Sequence, residues 1–494
     1  MMKKIKKIRN EFFQYSIISI LLISVLSACL PQSKYNFEKM EIPEWYLAAD
    51  TVFISPDSSS NIGKIKWSDY FKEEDLLLLI DSALKYNFDI REAIKSIEIV
   101  EELSKQSKLA WLPQVNANIL GINRQYRSSN YYSNPSSKYY EHVNQTPPSS
   151  LHVQSIQNTA GLELNWELDI WGKIRSRKEA VKFQNLEITE IQKIVQTKIV
   201  EQVVASYYEL LLLMEQKDVA ESNYNLSKNT YSIVELQYES GNTTALAKQQ
   251  TKSQMLTAKS LIPKIQEDID LKKNILSYIT GLHPDSIQVS KRLWSLETDT
   301  LISYGVPLEL IRNRPDVRSK EFKLRRKNAE LGVAQASRYP SLVIGVGTGT
   351  NAMLLQNWWN IPGSIFGSFI GGITQPIFNN RRLKTDFEVA KKERDIAELD
   401  FQRTAYLAVK DVSDALIIIN SLEKQLEIAK DQFNTASKAI GQSNLLFNSG
   451  YATYIEIINA YREALDSELN LNQIRFEILL ARLRLYKSLG GGWQ

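Results

Sequence analysis

The stretch Leu162-Glu-Leu-Asn-Trp-Glu-Leu-Asp-Ile170 alternates apolar and polar side chains without a break. Successive side chains of a β-strand point to opposite faces, so this pattern predicts a strand with one apolar and one acidic face. The acidic face carries Glu163, Glu167 and Asp169. Such a strand is typical of a tilted membrane-spanning strand whose acidic residues face a water-filled lumen. The alternative is a half-exposed antiparallel sheet whose acidic face meets bulk water.

Three further segments have strand-like patterns, so we expect four strands in two pairs. Their predicted bounds are 113–123, 158–171, 340–350 and 364–378, with exposed loops at 124–157 and 351–363. Four strands are too few to close a barrel around a lumen, for which eight is the usual minimum. An open sheet edge does not survive in hydrocarbon. Either the sheet is soluble, or several chains pool their strands.

Outward from the strands, Lys173–Glu239 and Arg382–Ile440 contain neither Gly nor Pro, which predicts two very long helices. A helix of about 66 residues is roughly 100 Å long and needs partners along its whole length. Shorter predicted helices would supply them: Leu76–Leu112, Thr243–Ile279, Leu308–Ser337 and Ala452–Ser488. Their apolar residues recur at intervals of three and four, which favours coiled-coil-like packing.

The chain reads as an internal duplication with an offset of 209 residues, because Val200-Glu-Gln-Val203 matches Val409-Lys-Asp-Val412. Gly241 and Gly450 match in the same way and would close two helical hairpins, since glycine adopts the left-handed conformation that ends a helix. The predicted fold class is mainly α with a β-barrel portion. We divide the folded chain into a first repeat at 67–281, an inter-repeat segment at 282–307, a second repeat at 308–489 and a tail at 490–494.

The N-terminus is typical of a lipoprotein signal rather than of a folded segment. Residues 1–28 combine a basic start with a short apolar run. Leu26-Ser-Ala-Cys29 resembles the bacterial lipobox, so Cys29, the only cysteine, is the expected lipidation site. The alternative is a plain secretory peptide with an incidental cysteine. Residues 29–66 lack periodicity and are expected to form a tether, and Leu30 favours sorting to the outer membrane.

Composition excludes several functional classes. The mean hydropathy of −0.27 excludes a polytopic helical membrane protein. Outside residues 1–28, acidic and basic residues balance, which argues against binding nucleic acid. His142, His152 and His283 are the only histidines, and no catalytic set or phosphate-binding loop is present. We therefore expect no enzyme activity, no metal site and no cofactor apart from the covalent lipid on Cys29.

Four stretches, in order along the chain, resemble the TolC-like outer membrane efflux proteins, in particular their lipoprotein branch. They are Trp67-Ser-Asp-Tyr-Phe-Lys72, Trp166-Glu-Leu-Asp-Ile-Trp-Gly-Lys-Ile-Arg175, Gly305-Val-Pro-Leu-Glu-Leu-Ile-Arg-Asn-Arg-Pro-Asp-Val-Arg318 and Ser488-Leu-Gly-Gly-Gly-Trp493. The resemblance implies a homotrimer with a twelve-stranded barrel in the outer membrane of a Gram-negative bacterium and a twelve-helix tunnel in the periplasm. It also implies contacts with membrane lipid, a periplasmic adaptor protein and an inner-membrane pump of the RND type.

The resemblance further implies a gate just after the second helical turn, with Gly241 and Gly450 as the turns that dock the partners. Ile455 matches the family's apolar constriction, and Asn459 stands where the family has an acidic gate residue. Arg462 matches a basic residue that ties neighbouring helices together. Glu456 would restore an acidic ring if it points toward the axis. The alternative for these residues is an ordinary position in a coiled coil.

The sequence therefore predicts a passive outer membrane channel of a tripartite efflux system, opened by an iris-like untwisting of helices near residues 450–462. A channel for type I protein secretion is a second hypothesis in the same class. A periplasmic coiled-coil scaffold lipoprotein without a pore is a third, and it predicts a monomer or dimer that does not insert in lipid.

Overall fold

The computed structural model describes residues 65–127, 153–296 and 313–493. Within these ranges the strands are β1 (Gln114–Arg127), β2 (Val153–Leu168), β3 (Ser341–Ala352) and β4 (Ile365–Thr374). The α-helices are α1 (Trp67–Tyr70), α2 (Glu74–Tyr86), α3 (Phe88–Leu109), α4 (Lys173–Glu239), α5 (Ala245–Thr280), α6 (Pro315–Ala336), α7 (Arg382–Asn448) and α8 (Tyr454–Ser488). The predicted signal peptide, Cys29, the tether up to residue 64, residues 128–152 of the predicted loop and residues 297–307 of the inter-repeat segment lie outside the described residues. The two ends of the predicted loop are strand instead, because β1 continues to Arg127 and β2 begins at Val153.

The prediction of two very long helices is confirmed. Helices α4 and α7 each contain 67 residues, and each bound of α7 lies 209 residues after the matching bound of α4. Helix α7 continues through Gly441, where an added Cβ would meet nothing within 4 Å. The two halves of the chain therefore share the order helix, strand, strand, long helix, turn and helix.

The prediction of a single helix over Leu76–Leu112 is wrong. The chain forms two helices there, α2 and α3, with a break at Asn87. The Asn87 side chain accepts the N–H of Asp89 at 2.9 Å and donates to the carbonyl of Ile279 at 3.1 Å. An asparagine that bonds the backbone two residues ahead favours a new helix start over continuation of the old helix.

The four strands form one antiparallel sheet in the order β1-β2-β3-β4. Strand β2 ends three residues before its predicted bound, because the chain turns there and the N–H of Ile170 bonds the carbonyl of Leu168 at 3.0 Å. The Trp171 indole then donates to the carbonyl of Pro340 at 2.7 Å. Strand β4 ends four residues early, at Thr374, two residues before a proline that has no N–H to donate.

Strands β2 and β3 approach each other closely where Gly161 lies opposite Gly349. A Cβ atom added at Gly161 would lie 2.2 Å from the carbonyl oxygen of Thr348, and one added at Gly349 would lie 2.0 Å from that of Ala160. Only glycine fits at this contact. On the other side of β2 the register shifts by a bulge between Asn118 and Gly121 of β1, which bends the strand.

The described residues fall into two compact units. The first consists of 102–127, 153–182 and 325–395 and contains the sheet. The second consists of 65–101, 183–296, 313–324 and 396–493 and contains most of the buried side chains. Its core includes Tyr486, which stacks on Tyr70 with 4.2 Å between ring centroids. Gly491 lies flat against the Tyr486 ring, where a Cβ would be 2.4 Å from a ring carbon, so the glycine-rich C-terminus closes over this core.

Among the helices at 65–127, 153–296 and 313–493, none contains an apolar stretch of the length that spanning a lipid bilayer requires.

Candidate functional site

One face of the sheet is apolar across all four strands. Leu164 of β2 lies between Val115 of β1 and Val346 of β3, and Val346 lies opposite Phe369 of β4. Val115 is 60% exposed and Phe369 is 74% exposed. An apolar face of this extent is left uncovered in soluble proteins only where it binds something apolar.

The opposite face is mixed, with acidic and small residues on β2 and β3 and the apolar residues Phe366 and Ile370 on β4. Glu163 lies between Asn116 of β1 and Gly347 of β3, and a cavity of about 300 Å³ lies against this part of the sheet. The Glu167 carboxylate pairs with the Lys173 ammonium group at 2.8 Å. The alternation in β2 therefore separates an acidic from an apolar face as predicted. The assignment of Glu163 and Glu167 to a lumen stays a prediction, since a lumen requires further strands.

Asp169 does not share the position of these two glutamates. It lies one residue beyond the end of β2, and its carboxylate accepts the N–H groups of Ile174 and Arg175 at 2.8 and 3.0 Å. These N–H groups lie in the first turn of α4 and have no partner within the helix. A negative charge at this position also interacts favourably with the positive end of the helix dipole. The expectation that Asp169 faces a lumen from the strand is therefore corrected, because its carboxylate caps a helix.

The two helical hairpins close in the same way. In the first, the N–H of Asn242 bonds the carbonyl of Gln237 at 2.8 Å around Gly241, whose φ is 72°. The same bond, shifted by 209 residues, closes the second hairpin around Gly450, whose φ is 76°. Glycine occupies both positions because a Cβ would be strained at positive φ. The predicted turns are present, and their docking role stays a prediction.

On helix α8, the gate candidates lie on a different side of the helix from the residues that pack against the rest of the chain. Its buried stripe consists of Ile457, Tyr461 and Ala464, whose exposures are 1%, 5% and 5%. Another stripe, of Ile455, Asn459 and Arg462, is exposed. Residues three and four apart share one side of a helix, so the structure brings these three candidates together. No hydrogen bond or ion pair involving the side chains of Asn459 or Arg462 is found within the described ranges.

Glu456 has a different role from its three neighbours. Its carboxylate accepts the backbone N–H of Thr453 at 2.9 Å and the Thr453 hydroxyl, and that hydroxyl in turn accepts the N–H of Ile455. This is a capping box at the start of α8. The hydrogen bond from Thr453 lowers the pKa of Glu456, which stays charged while it caps. The geometry does not support an acidic ring formed by Glu456.

A buried arginine joins three segments of the second unit. The Arg314 guanidinium makes a double hydrogen bond with Asp316, donates to Asp411 at 3.2 Å, and donates to the carbonyls of Ala408 and Ser488. The sequence-based predictions do not include this role of Arg314. The available signal was Arg-Pro-Asp at a helix start, because proline favours the first helical position and an acid the first turn.

This cluster is electrostatically balanced. Burial of the guanidinium would lower the pKa of Arg314, but Asp316 and Asp411 raise it above its ordinary value. Burial would raise the pKa of Asp316, but the hydrogen bonds and charge of Arg314 lower it below its ordinary value of 3.8. Both groups are therefore charged at neutral pH, and their mutual pairing offsets the cost of desolvation.

Histidine side chains are the first candidates for catalysis or metal binding in a chain with one cysteine. His283 is exposed, and its Nδ1 accepts the N–H of Asp285 at 3.3 Å, whereas His142 and His152 lie outside the described residues. Within the described ranges, no three His, Cys, Asp or Glu side chains are placed to hold a metal ion.

Comparisons with known proteins fit this architecture. The family model described as "Outer membrane efflux protein" matches residues 79–282 and 306–491. The probable outer membrane lipoprotein SilC of Salmonella typhimurium is 25% identical over 484 residues, which cover 97% of this chain and 99% of SilC. The cation efflux system protein CusC of Escherichia coli (strain K12) is 24% identical over 472 residues, covering 94% and 97%.

A solved structure shows the same fold. The outer membrane channel MtrE of Neisseria gonorrhoeae, in its open state, superposes with a TM-score of 0.79 at 22% identity, covering 93% of this chain and 98% of MtrE. The family match spans both halves of the chain, and the curated relatives match along nearly their whole length. Together with the duplicated long helices and the two-faced sheet, these matches identify the chain as a member of the outer membrane efflux protein family.

Proposed function

We propose that three copies of this chain form an outer membrane channel that conducts cargo passively in a tripartite efflux system. The observation that carries the proposal is the sheet of the first unit. In the described part of the chain, β1 pairs only with β2 and β4 pairs only with β3, so both outer edges of the sheet are open. The same sheet exposes an apolar face, and its opposite face carries Glu163 and Glu167.

Open edges and an exposed apolar face are compatible with a membrane only if strands of other copies continue the sheet. Two copies would supply eight strands, but side chains fill the interior of an eight-stranded barrel or leave room for one small ligand. Three copies supply twelve strands and a wider lumen, with Glu163 and Glu167 facing water. The relative CusC is named as a cation efflux system protein. In the proposed system, an adaptor protein and an inner-membrane pump deliver the cargo and dock at the turns of Gly241 and Gly450.

The gate in this proposal is the exposed stripe of α8. In a threefold assembly Ile455 would form an apolar ring, Asn459 a neutral amide ring and Arg462 a basic ring. The free side chains of Asn459 and Arg462 support this assignment, since neither is committed to a partner in the described part of its own chain. Glu456 would stabilise the start of α8 and take no part in conduction.

We also propose that the mature chain carries lipid on Cys29 and is anchored by it in the outer membrane. The relative SilC is named as a lipoprotein, which supports the anchor. Substitution Cys29→Ala should abolish metabolic labelling with radioactive palmitate, and labelling that persists would contradict the anchor.

The deciding experiment is the native mass of the unheated, detergent-purified protein, with the mass of bound detergent subtracted. Three chains are expected, together with discrete conductance steps in planar lipid bilayers. A monomer or dimer without conductance would overturn the channel and favour the scaffold without a pore.

A further inference from the structure

The connection between β3 and β4 is unusually apolar for an exposed segment. We define the β3–β4 loop as residues 353–364. Its exposed apolar side chains are Met353, Leu354, Leu355, Trp359 and Ile361, and Trp359 is 78% exposed. Loops that face water are rich in polar residues, and large exposed apolar side chains gathered in one short segment indicate a contact surface.

The absence of charge extends well beyond the loop. From Tyr339 to Asn380 the sequence contains no Asp, Glu, Lys, Arg or His. The corresponding part of the first half differs, since it includes Arg124, Lys138 and Glu141. A charged side chain on a lipid-facing surface is destabilising, most of all near the bilayer midplane. A long uncharged segment in only one half of a duplicated chain therefore indicates that this half has more contact with an apolar medium.

Several backbone groups of the β3–β4 loop are already hydrogen-bonded within the chain. The N–H of Asn351 bonds the carbonyl of Ser364 at 2.8 Å, and the N–H of Ser364 bonds the carbonyl of Asn360 at 3.0 Å. The Trp358 indole donates to the carbonyl of Thr350 at 3.3 Å. Backbone groups without a partner are costly in lipid, and these hydrogen bonds lower that cost for the part of the loop that they pair.

We propose that the β3–β4 loop inserts into the boundary between headgroups and acyl chains of the membrane. There it extends the lipid-facing surface that begins with Val346 and Phe369 on the sheet. Its two tryptophans suit this depth, because the indole ring is apolar and its N–H is polar. The loop thereby anchors the second half of each chain at the membrane interface. The inference rests on the proposed membrane-spanning sheet.

The test places a fluorescent nitrobenzoxadiazole label on single introduced cysteines and measures quenching by lipids. The loop variants are Leu355→Cys and, as a second position, Leu354→Cys. Phe369→Cys reports insertion of the sheet. Leu256→Cys on α5 is the matched control, since Leu256 is 52% exposed and Leu355 is 55% exposed. Unsubstituted protein gives the background from Cys29, and each variant is used only if its native mass is unchanged.

Each labelled protein is reconstituted into phosphatidylcholine vesicles with or without doxyl groups on the acyl chains. We expect the loop labels to lose as large a fraction of fluorescence as the Phe369→Cys label, with doxyl near the headgroup quenching them more than doxyl deep in the chain. The Leu256→Cys label should keep its fluorescence.

Two outcomes would overturn the inference, and they are distinguishable. If Phe369→Cys is quenched but both loop labels are not, the sheet spans the membrane and the loop does not enter it. The conclusion that the loop does not enter the membrane is the same if the unquenched loop labels report an apolar environment, because protein would then cover them. If Phe369→Cys is not quenched either, the membrane-spanning sheet fails and the proposed channel fails with it.

Discussion

Arg381 holds in the second half of the chain the backbone position that Gly172 holds in the first. The φ angle is 63° at Arg381 and 74° at Gly172, and each residue immediately precedes a 67-residue helix. The carbonyl of each accepts the N–H four residues ahead, from Thr385 at 3.0 Å and from Ser176 at 2.8 Å. Positive φ is unstrained for glycine but not for arginine, so only the second strand-to-helix junction contains strained backbone.

We therefore expect Arg381→Gly to stabilise the protein by about 1 kcal/mol, because it relieves the cost of a left-handed conformation. The midpoint of thermal unfolding of the detergent-purified protein should rise. The matched control is Arg381→Gln, which removes the charge and keeps the Cβ atom. Equal midpoints for the two variants would mean that charge, and not backbone strain, is responsible.

Asp169→Ala should destabilise the start of α4 by about 1 kcal/mol, the usual cost of losing a helix cap. Hydrogen exchange measured by mass spectrometry should show faster exchange at Ile174 and Arg175. Asp169→Asn keeps one hydrogen-bond acceptor and should therefore lose less protection from exchange. Phe378 occupies the equivalent position before α7, and Phe378→Ala should leave exchange at the start of α7 unchanged, since no cap is lost there. Unchanged protection in Asp169→Ala would contradict the capping role.

Gly161→Ala should disrupt the pairing of β2 with β3, because the new Cβ would overlap the carbonyl oxygen of Thr348. We expect a large loss of folded protein, measured as the fraction that resists unfolding in unheated detergent gels. Gly367→Ala on β4 is the matched control, since a Cβ there meets nothing within 4 Å. The close approach would be refuted if both alanine variants fold equally well.

The pairing of Asp316 with Arg314 should make stability depend on acid. The pKa of Asp316 in the folded protein lies below its ordinary value of 3.8, so the unfolded chain binds this proton more readily. The stabilisation is complete above that ordinary value and is lost as pH falls through the lower folded pKa. Asp316→Asn should lower stability at neutral pH and flatten its decline below about pH 4.

The control for the loss of one carboxylate is Asp285→Asn, at a position whose side chain is 94% exposed. Arg314→Met, which leaves the half-buried Asp316 without its arginine partner, should destabilise the protein more than Asp316→Asn does. A decline with acid that is identical in Asp316→Asn and in the unsubstituted protein would assign the acid sensitivity to other groups.

The gate assignment predicts that ion selectivity responds to substitution at Asn459 and Arg462 and does not respond to substitution at Glu456. Asn459→Asp should raise the ratio of cation to anion permeability in planar bilayers, because it adds one carboxylate per chain to the exposed stripe. Arg462→Gln should change the ratio in the same direction by removing positive charge. Glu456→Gln should leave selectivity unchanged and weaken the start of α8, since its carboxylate caps the helix. Selectivity that follows Glu456 instead of Asn459 would reverse the assignment.

Much of the fold follows local rules and was predictable. The alternation of Leu162–Ile170 indicated β2, and the long segments without glycine or proline indicated α4 and α7, because each reflects the geometry of its own backbone. The turns at Gly241 and Gly450 were predictable for the same reason, since a left-handed residue must end each helix.

Only the tertiary structure showed the roles of several polar side chains. Their hydrogen-bond partners are distant in the sequence, or belong to a helix start that the sequence pattern did not assign to them. The break at Asn87 depends on a carbonyl of Ile279, and the role of Arg314 depends on carbonyls of Ala408 and Ser488. Asp169 was assigned to a lumen from the alternation of β2, and Glu456 to an acidic ring from its position near Asn459. The carboxylates of both accept N–H groups at helix starts instead. Sequence spacing determines the face of an element on which a residue lies, but a polar side chain bonds whichever unsatisfied group the folded backbone brings within about 3 Å.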